Sequence, residues 1–302
     1  MRSVPKEYHT VSPSQLSVYM DCPKSWSYAY QHNLSAKAQR DTSAMDAGSY
    51  AHGMLHIYYQ LIAQGEAPGS EYALEFMLDR LREDFENSEH PLELMAKVAP
   101  LISHYVKARS PQIDKGIRVL GIEEELLYDT ELVAPDGLPI FLHGFIDLVY
   151  QDSVGRIRVR DHKTGANPTS HSQAKTRMSH QLLTYGLAKS AQVVEISFVH
   201  SAPPKSGNSK RYELYTWMHT EKAYAFFLEQ IKRTLTKMFN DEPSYHFSTN
   251  CSRCQFMPIC SSELQGTAPE VIIPTLFKTK EPRVKLPIKV ETDGTTSVDF
   301  QF

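Results

Sequence analysis

The chain has 302 residues, 41% of them hydrophobic and 22% charged, with a formal net charge of -3. That length can bury a substantial core as one elaborated domain or two small ones. The composition excludes a fibrous or low-complexity protein. A charge this close to balance argues against indiscriminate coating of nucleic acid, while leaving room for a local basic groove.

The opening decapeptide MRSVPKEYHT lacks the apolar core and cleavage site of a secretory signal. The expectation is therefore a reducing cytoplasm, or a host cytoplasm for a viral protein, in which cysteines stay unpaired. No apolar run reaches the roughly 18 residues of a membrane span, so no membrane partner is expected. Ser12-Pro13-Ser14-Gln15 reads as a helix start, with Ser12 as cap, Pro13 at the first helical position and Gln15 reaching back. Helical periodicity continues over about 42–64, 70–87 and 91–109, broken at residues 65–70 and at His90-Pro91.

From Ile117 the period changes. Stretches 117–128, 139–150 and 155–162 follow one another across Pro135-Asp136-Gly137 and Gln151-Asp152-Ser153 turns, as an antiparallel meander. Residues 173–190 read as a helix, 193–200 and 210–217 as strands, and 220–238 as an amphipathic helix. The expected fold class is α/β (α+β), a mixed central sheet flanked by helices. Residues 1–265 form a single expected domain, with a helical insertion at about 42–110 and a core at about 115–240. After Cys260 the composition turns to Pro, Lys, Thr and Val, and 266–302 reads as a weakly ordered tail. Its end, Val298-Asp299-Phe300-Gln301-Phe302, suits a frayed end, an edge strand or a partner-binding peptide.

Gly144-Phe145-Ile146-Asp147 and Asp161-His162-Lys163-Thr164-Gly165 lie on consecutive strands of a hairpin. With pairing centred near residue 153, Asp147 stands opposite residue 159, and Asp161 lies diagonally two places on. Strand alternation then puts Asp147, Asp161 and Lys163 on one face. Two acids and a lysine converging there repel or desolvate one another unless a divalent cation such as Mg²⁺ or Mn²⁺ rewards the arrangement. Lys163 then supplies a point charge that orients attacking water and stabilises developing phosphate charge. Taken alone, the D-x-K pattern is better read as a surface ion-pair cluster, because so short a pattern is common by chance. Gln181 and Tyr185, four apart on one helical face, can reach a phosphate or the lysine. His52 offers a nitrogen ligand from the early helix, and His56, one turn later, competes for that role.

All four cysteines fall in two places: Cys22 near the start, and Cys251, Cys254 and Cys260 together. Thiolates so spaced suit a tetrahedral zinc site or an iron-sulfur cluster, which spacing alone does not separate. Either would staple residue 22 to residues 251–260 across the core.

Taken in order, Cys22, His52, Gly144-Phe145-Ile146-Asp147, Asp161-His162-Lys163, Gln181, Tyr185, Cys251, Cys254 and Cys260 resemble the RecB-like branch of the PD-(D/E)XK nuclease superfamily. More narrowly, the chain is similar to the CRISPR-associated iron-sulfur exonucleases and the nuclease domain of AddB. The resemblance implies a restriction-endonuclease-like core and a [4Fe-4S] cluster on the four cysteines, joining the N- and C-terminal segments. It also implies a Mg²⁺ or Mn²⁺ site and DNA cleavage, commonly of single strands and from an end. By position, His52, Asp147 and Asp161 would bind metal, with the His162 carbonyl as a further ligand. Lys163 would be catalytic, assisted by Gln181 and Tyr185. The acid before the lysine is Asp161 where the commonest motif has Glu, which shortens the reach to metal.

No G-x-x-x-x-G-K-[ST] motif occurs, so no ATP-driven motor is encoded in this sequence. Phosphate contacts are expected from Lys175, Arg177, Lys205, Lys210 and Arg211; Tyr8, Tyr19, Trp26, Tyr28 and Tyr30 offer stacking platforms, but several fall at helical spacing beside Cys22, which favours core packing. The leading expectation is an exonuclease of recombination, repair, viral DNA metabolism or CRISPR adaptation, with an integrase or recombination partner. The alternative is a catalytically weak DNA-binding accessory protein whose metal cluster is structural.

Overall fold

Ser12 opens the first helix as the sequence predicts: its Oγ accepts from the Gln15 N–H at 3.2 Å, with Pro13 in the first turn. The computed structural model describes residues 5–37, 43–86, 91–165, 179–200 and 212–280. In chain order the described elements are β1 (His9–Val11), α1 (Pro13–Asp21), α2 (Pro23–Trp26), β2 (Leu34–Ala36), α3 (Ser43–Ala63), α4 (Glu71–Glu86) and α5 (Pro91–His104). A π-helical turn (Tyr105–Arg109) leads into α6 (Ser110–Ile113), β3 (Arg118–Val133), β4 (Pro139–Gln151) and β5 (Ile157–Gly165). Next come α7 (His180–Lys189), β6 (Val193–His200), β7 (Tyr212–Met218) and α8 (Glu221–Asn240). Last are α9 (Met257–Leu264), α10 (Pro269–Leu276) and β8 (Phe277–Thr279). The chain divides into two compact units, Met1–Trp26 with Gln39–His246, and Ser27–Ala38 with Phe247–Phe302.

The first unit is built on a mixed six-stranded sheet. β3, β4 and β5 form the expected antiparallel meander, β6 runs parallel to β5, and β7 closes antiparallel on β6. On one side of β4, β3 pairs along most of its length. The other side is shared: β1 runs parallel to residues 140–142, and β5 pairs only with residues 148–151. The segment holding Asp147 thus lies where the sheet parts.

Helices α3, α4 and α5 bury Tyr58, Met77, Leu81, Val98 and Ile102 against one another and cover the sheet at Leu148 and Tyr150. On the opposite side Tyr185 of α7 packs on Leu126, Ile146, Val149 and Val159. Residues of equal parity in a strand normally share a face. Here Ile122 and Leu148 belong to the core of α3–α5, whereas Leu126 and Ile146 belong to that of α7. The alternation therefore reverses at Glu123 and Asp147, and Glu123 carries the positive φ of 46° that turns its strand.

The second unit pairs β2 antiparallel with β8 and packs Tyr28, Leu34, Phe256, Ile259 and Phe277 into a small core. The sequence reads 266–302 as a weakly ordered tail, but residues 269–279 form α10 and β8, with Phe277 buried and stacked on Phe256 at 5.7 Å. Pro269 starts that helix rather than breaking it, and the strand's partner is some 240 residues away, beyond any local pattern. The Val298–Phe302 terminus lies outside the described residues. Among the described residues, no helix is long and apolar enough to cross a membrane.

Candidate active site

Three carboxylates stand in a row across three neighbouring strands. The pairs Ile122↔Leu148 and Glu124↔Ile146 bracket Glu123 opposite Asp147. One step beyond Leu148↔Arg160, the same register brings Asp161 opposite Asp147. The sequence sets Asp147 against residue 159 with Asp161 on the diagonal, so the observed pairing differs by two residues. The hairpin turns at Asp152–Arg156, where Asp152 Oδ1 takes the N–H groups of Val154 and Arg156 at 3.1 and 3.0 Å and Gly155 has φ +85°. A shift of two preserves the face and brings the acids closer.

At this level the ladder is replaced by a side chain: the His162 N–H donates to Asp147 Oδ2 at 2.6 Å. His52, reaching in from α3, places Nδ1 3.4 Å from the same oxygen. Ligand atoms of His52, Glu123 and Asp147 all lie within 4.8 Å of one another. Asp161, 1% exposed, is held by Lys163, whose Nζ lies 3.1 Å from Oδ1 and 2.8 Å from Oδ2. Lys163 Nζ also donates to Gln181 Oε1 at 3.1 Å, and Gln181 Nε2 bonds Tyr185 Oη at 3.1 Å. α7 can carry this relay because Ser179 caps it, its Oγ accepting from the Leu182 N–H at 3.2 Å. Gly186 lets it lie close to β6 and α8, where a Cβ would collide with Val194 and Tyr224.

Burial, then the neighbouring Asp161 and Glu123 charges, push the Asp147 carboxyl well above the usual carboxylate range. Burial and Asp161 raise Glu123 as well. Burial, opposed by Asp161 and aided by Lys163, lowers the His52 pKa and so favours the neutral imidazole. Burial works against the Lys163 charge, but Asp161, by charge and hydrogen bond, and Asp147 outweigh it and hold the lysine pKa above normal. Clustered acids that resist ionisation, beside a neutral imidazole, are a donor set short of one cation. Hard oxygens with a single nitrogen fit Mg²⁺ or Mn²⁺.

The structure thus brings together His52, Asp147, Asp161, Lys163, Gln181 and Tyr185. His56 does not join them; its ring nitrogens are buried without a hydrogen-bond partner among the described residues. The His162 ring stacks on Tyr59 at 5.6 Å, while its backbone is hydrogen-bonded to His52. Glu123 is the residue that sequence reasoning missed. It stands in a run of three glutamates, 123–125, among which alternation cannot choose; carrying the meander register across β3 would have singled it out.

Tyr19, Trp26 and Tyr28, read as stacking platforms, are buried, and Tyr19 meets Trp26 edge-on at 5.4 Å. Tyr8 leans on Phe141 at 5.3 Å. Their role is packing. Lys175, Arg177, Lys205, Lys210 and Arg211 lie outside the described residues.

The four cysteines form no disulfide and are half-buried. Cys22 caps the end of α1 in the first unit. In the second unit, Cys251 Sγ accepts from the Ser248 N–H at 3.4 Å, and Cys254 and Cys260 pack against the small core.

A mixed sheet that parts around clustered acids, with a lysine alongside, has the chemistry a metal-dependent hydrolase needs. Residues 10–261 match the family model of the PD-(D/E)XK nuclease superfamily, and the chain belongs to that superfamily. No curated protein sequence matches the chain. Among solved structures it is similar to a candidate exonuclease from Eubacterium rectale, at 10% identity and TM-score 0.45, over 84% of this chain and 93% of that one. SSO0001 is 15% identical over 85% of this chain and 89% of that one, at TM-score 0.39. The alkaline exonuclease LHK-Exo from Laribacter hongkongensis is 11% identical over 62% and 93%, at TM-score 0.28. The membership rests on the family match and not on these structures.

Proposed function

We propose that the protein is a metal-dependent deoxyribonuclease that works as an exonuclease on single-stranded DNA or DNA ends. The observation that carries this reading is the carboxylate row Glu123, Asp147, Asp161 with Lys163 held between Asp161 and Gln181. His52, Glu123, Asp147 and Asp161 would hold Mg²⁺ or Mn²⁺, with the His162 carbonyl as a further ligand. A cation bound there supplies a Lewis acid for a phosphate oxygen and lowers the pKa of water.

The chain's own groups do the rest. Lys163 stays protonated, so its part is to orient the attacking water and meet the charge developing on the phosphate, and not to abstract a proton. Gln181 fixes the Lys163 ammonium and is fixed in turn by Tyr185.

The four cysteines are assigned to a [4Fe-4S] cluster. The cysteines form no disulfide, and the backbone N–H to Cys251 Sγ bond is of the kind that steadies a cluster thiolate. The setting proposed is recombination, repair, viral DNA metabolism or CRISPR adaptation, beside an integrase or recombination partner and without ATP.

The test is a time course on end-labelled single- and double-stranded DNA with anaerobically purified protein, with Mg²⁺ and Mn²⁺ in turn. Metal-dependent release of labelled ends, lost in folded Lys163→Ala, is the expected result. Undiminished cleavage by Lys163→Ala would remove the mechanism. Equal amounts of zinc in place of iron would remove the cluster.

A further inference from the structure

Arg160, next to Asp161, is completely buried, and an apolar residue would be the ordinary occupant of such a place in a strand. All three of its guanidinium nitrogens are engaged. Nη1 donates to Asp114 Oδ1 at 2.6 Å and to Tyr59 Oη at 2.9 Å, Nε to Glu195 Oε2 at 3.0 Å, and Nη2 to Tyr150 Oη at 2.8 Å. Asp114 is held again by Ser110 Oγ at 2.6 Å and Tyr59 Oη at 3.0 Å, and Glu195 by Tyr150 Oη at 2.6 Å and Arg158 at 2.6 Å. One side chain thereby ties α3 and the end of α6 to β4, β5 and β6.

The placement of this node relative to the metal site is the informative part. α3 carries both Tyr59 and, two turns earlier, His52; β5 carries Arg160, Asp161 and Lys163. The same Tyr59 ring stacks on His162, whose N–H holds Asp147 and whose backbone is hydrogen-bonded to His52. Tyr105 also meets the His162 ring, edge-on at 6.0 Å. Buried charge of this kind seldom adds stability over well-packed apolar side chains, and what it supplies is a fixed geometry.

Resting on the nuclease reading above, we infer that Arg160 is a positioning residue: through Tyr59 it sets the distance between His52 on α3 and the carboxylates of β4 and β5, and so sets metal affinity. A planar fork makes these bonds at fixed angles, which a lysine cannot do.

The test is Mn²⁺ titration of the full-length protein, followed by the electron paramagnetic resonance of the free ion, in Tyr59→Phe and Arg160→Lys. Folding is checked by near-UV circular dichroism. Both variants should bind Mn²⁺ at least about tenfold more weakly, the size expected when a group behind a ligand is removed. Leu81→Ala, buried in the same helical core but remote from the node, should lower the melting temperature and leave Mn²⁺ affinity unchanged. If Arg160→Lys unfolds, the neutral set Arg160→Met, Asp114→Asn and Glu195→Gln replaces it, with the same loss of affinity expected. Wild-type affinity in a folded Tyr59→Phe or Arg160 variant overturns the inference and leaves the nuclease reading standing. Wild-type protein that binds Mn²⁺ but cleaves no DNA would sink the nuclease reading alone.

Discussion

Glu123 stands directly across the β3–β4 ladder from Asp147, at the one level where both strands exchange the face they present. The reversal lets His52 of α3 reach Asp147 while Lys163, bonded to Gln181 of α7, reaches the neighbouring Asp161.

If Glu123 is a ligand, Glu123→Gln keeps its size but removes its charge and turns one accepting oxygen into a donor. Mn²⁺ affinity, measured by calorimetry, should fall at least about tenfold, the scale of losses even for groups behind the ligands. The melting temperature of the metal-free protein should not fall, because one of three mutually repelling acids has gone. Unchanged Mn²⁺ affinity would take Glu123 out of the site.

Gly144 sits under Tyr185: a Cβ there would stand 3.1 Å from Cε1 and 3.3 Å from Oη. The ring must shift, and with it the Tyr185–Gln181–Lys163 relay. Gly144→Ala should cost about 1–3 kcal/mol of stability from overpacking. It should also lower kcat by about tenfold or more, as expected for displacement of a positioned group by a fraction of an ångström. A variant with wild-type kcat and a lowered melting temperature would show that Tyr185 only packs.

The acids also set a pH dependence. Asp147 has its folded pKa raised, so between the ordinary carboxylate range and that higher value the folded state holds a proton the unfolded chain has lost. Metal-free stability should therefore decline as pH rises through that window, while Mn²⁺, which displaces the proton, should bind more tightly. The gain in melting temperature from saturating Mn²⁺ should be larger at about pH 8 than at about pH 5.5. Equal gains would argue that the ion binds elsewhere.

For the cysteines, the expected outcome is a brown protein with a broad band near about 400 nm. Cys254→Ser and Cys260→Ser should abolish the band and loosen the core of Tyr28, Leu34, Phe256, Ile259 and Phe277 against which these residues pack. Full absorbance in either variant would exclude that residue as a ligand.

Local chemistry made much of this legible in the sequence. The cap at Ser12, the three long helices and the meander after Ile117 follow from residue periodicity and turn residues, signals that need only neighbours a few places away. The candidate residues His52, Asp147, Asp161, Lys163, Gln181 and Tyr185 were recognisable by type and order. Simple alternation, however, would have set Asp147 on a flat face, and the buried Arg160 reads in sequence as one more charged residue of Arg156-Ile157-Arg158-Val159-Arg160.

What the sequence by itself determined is the set of elements and the inventory of chemical groups, because backbone propensity and side-chain periodicity act over a few residues. Only the tertiary structure decided that Glu123 comes together with His52 and Asp147, that His52 rather than His56 meets Asp147, and that β8 returns to pair with β2. Each of those depends on strand register, or on burial by a segment distant in sequence, and these energies exist only once the chain has closed on itself.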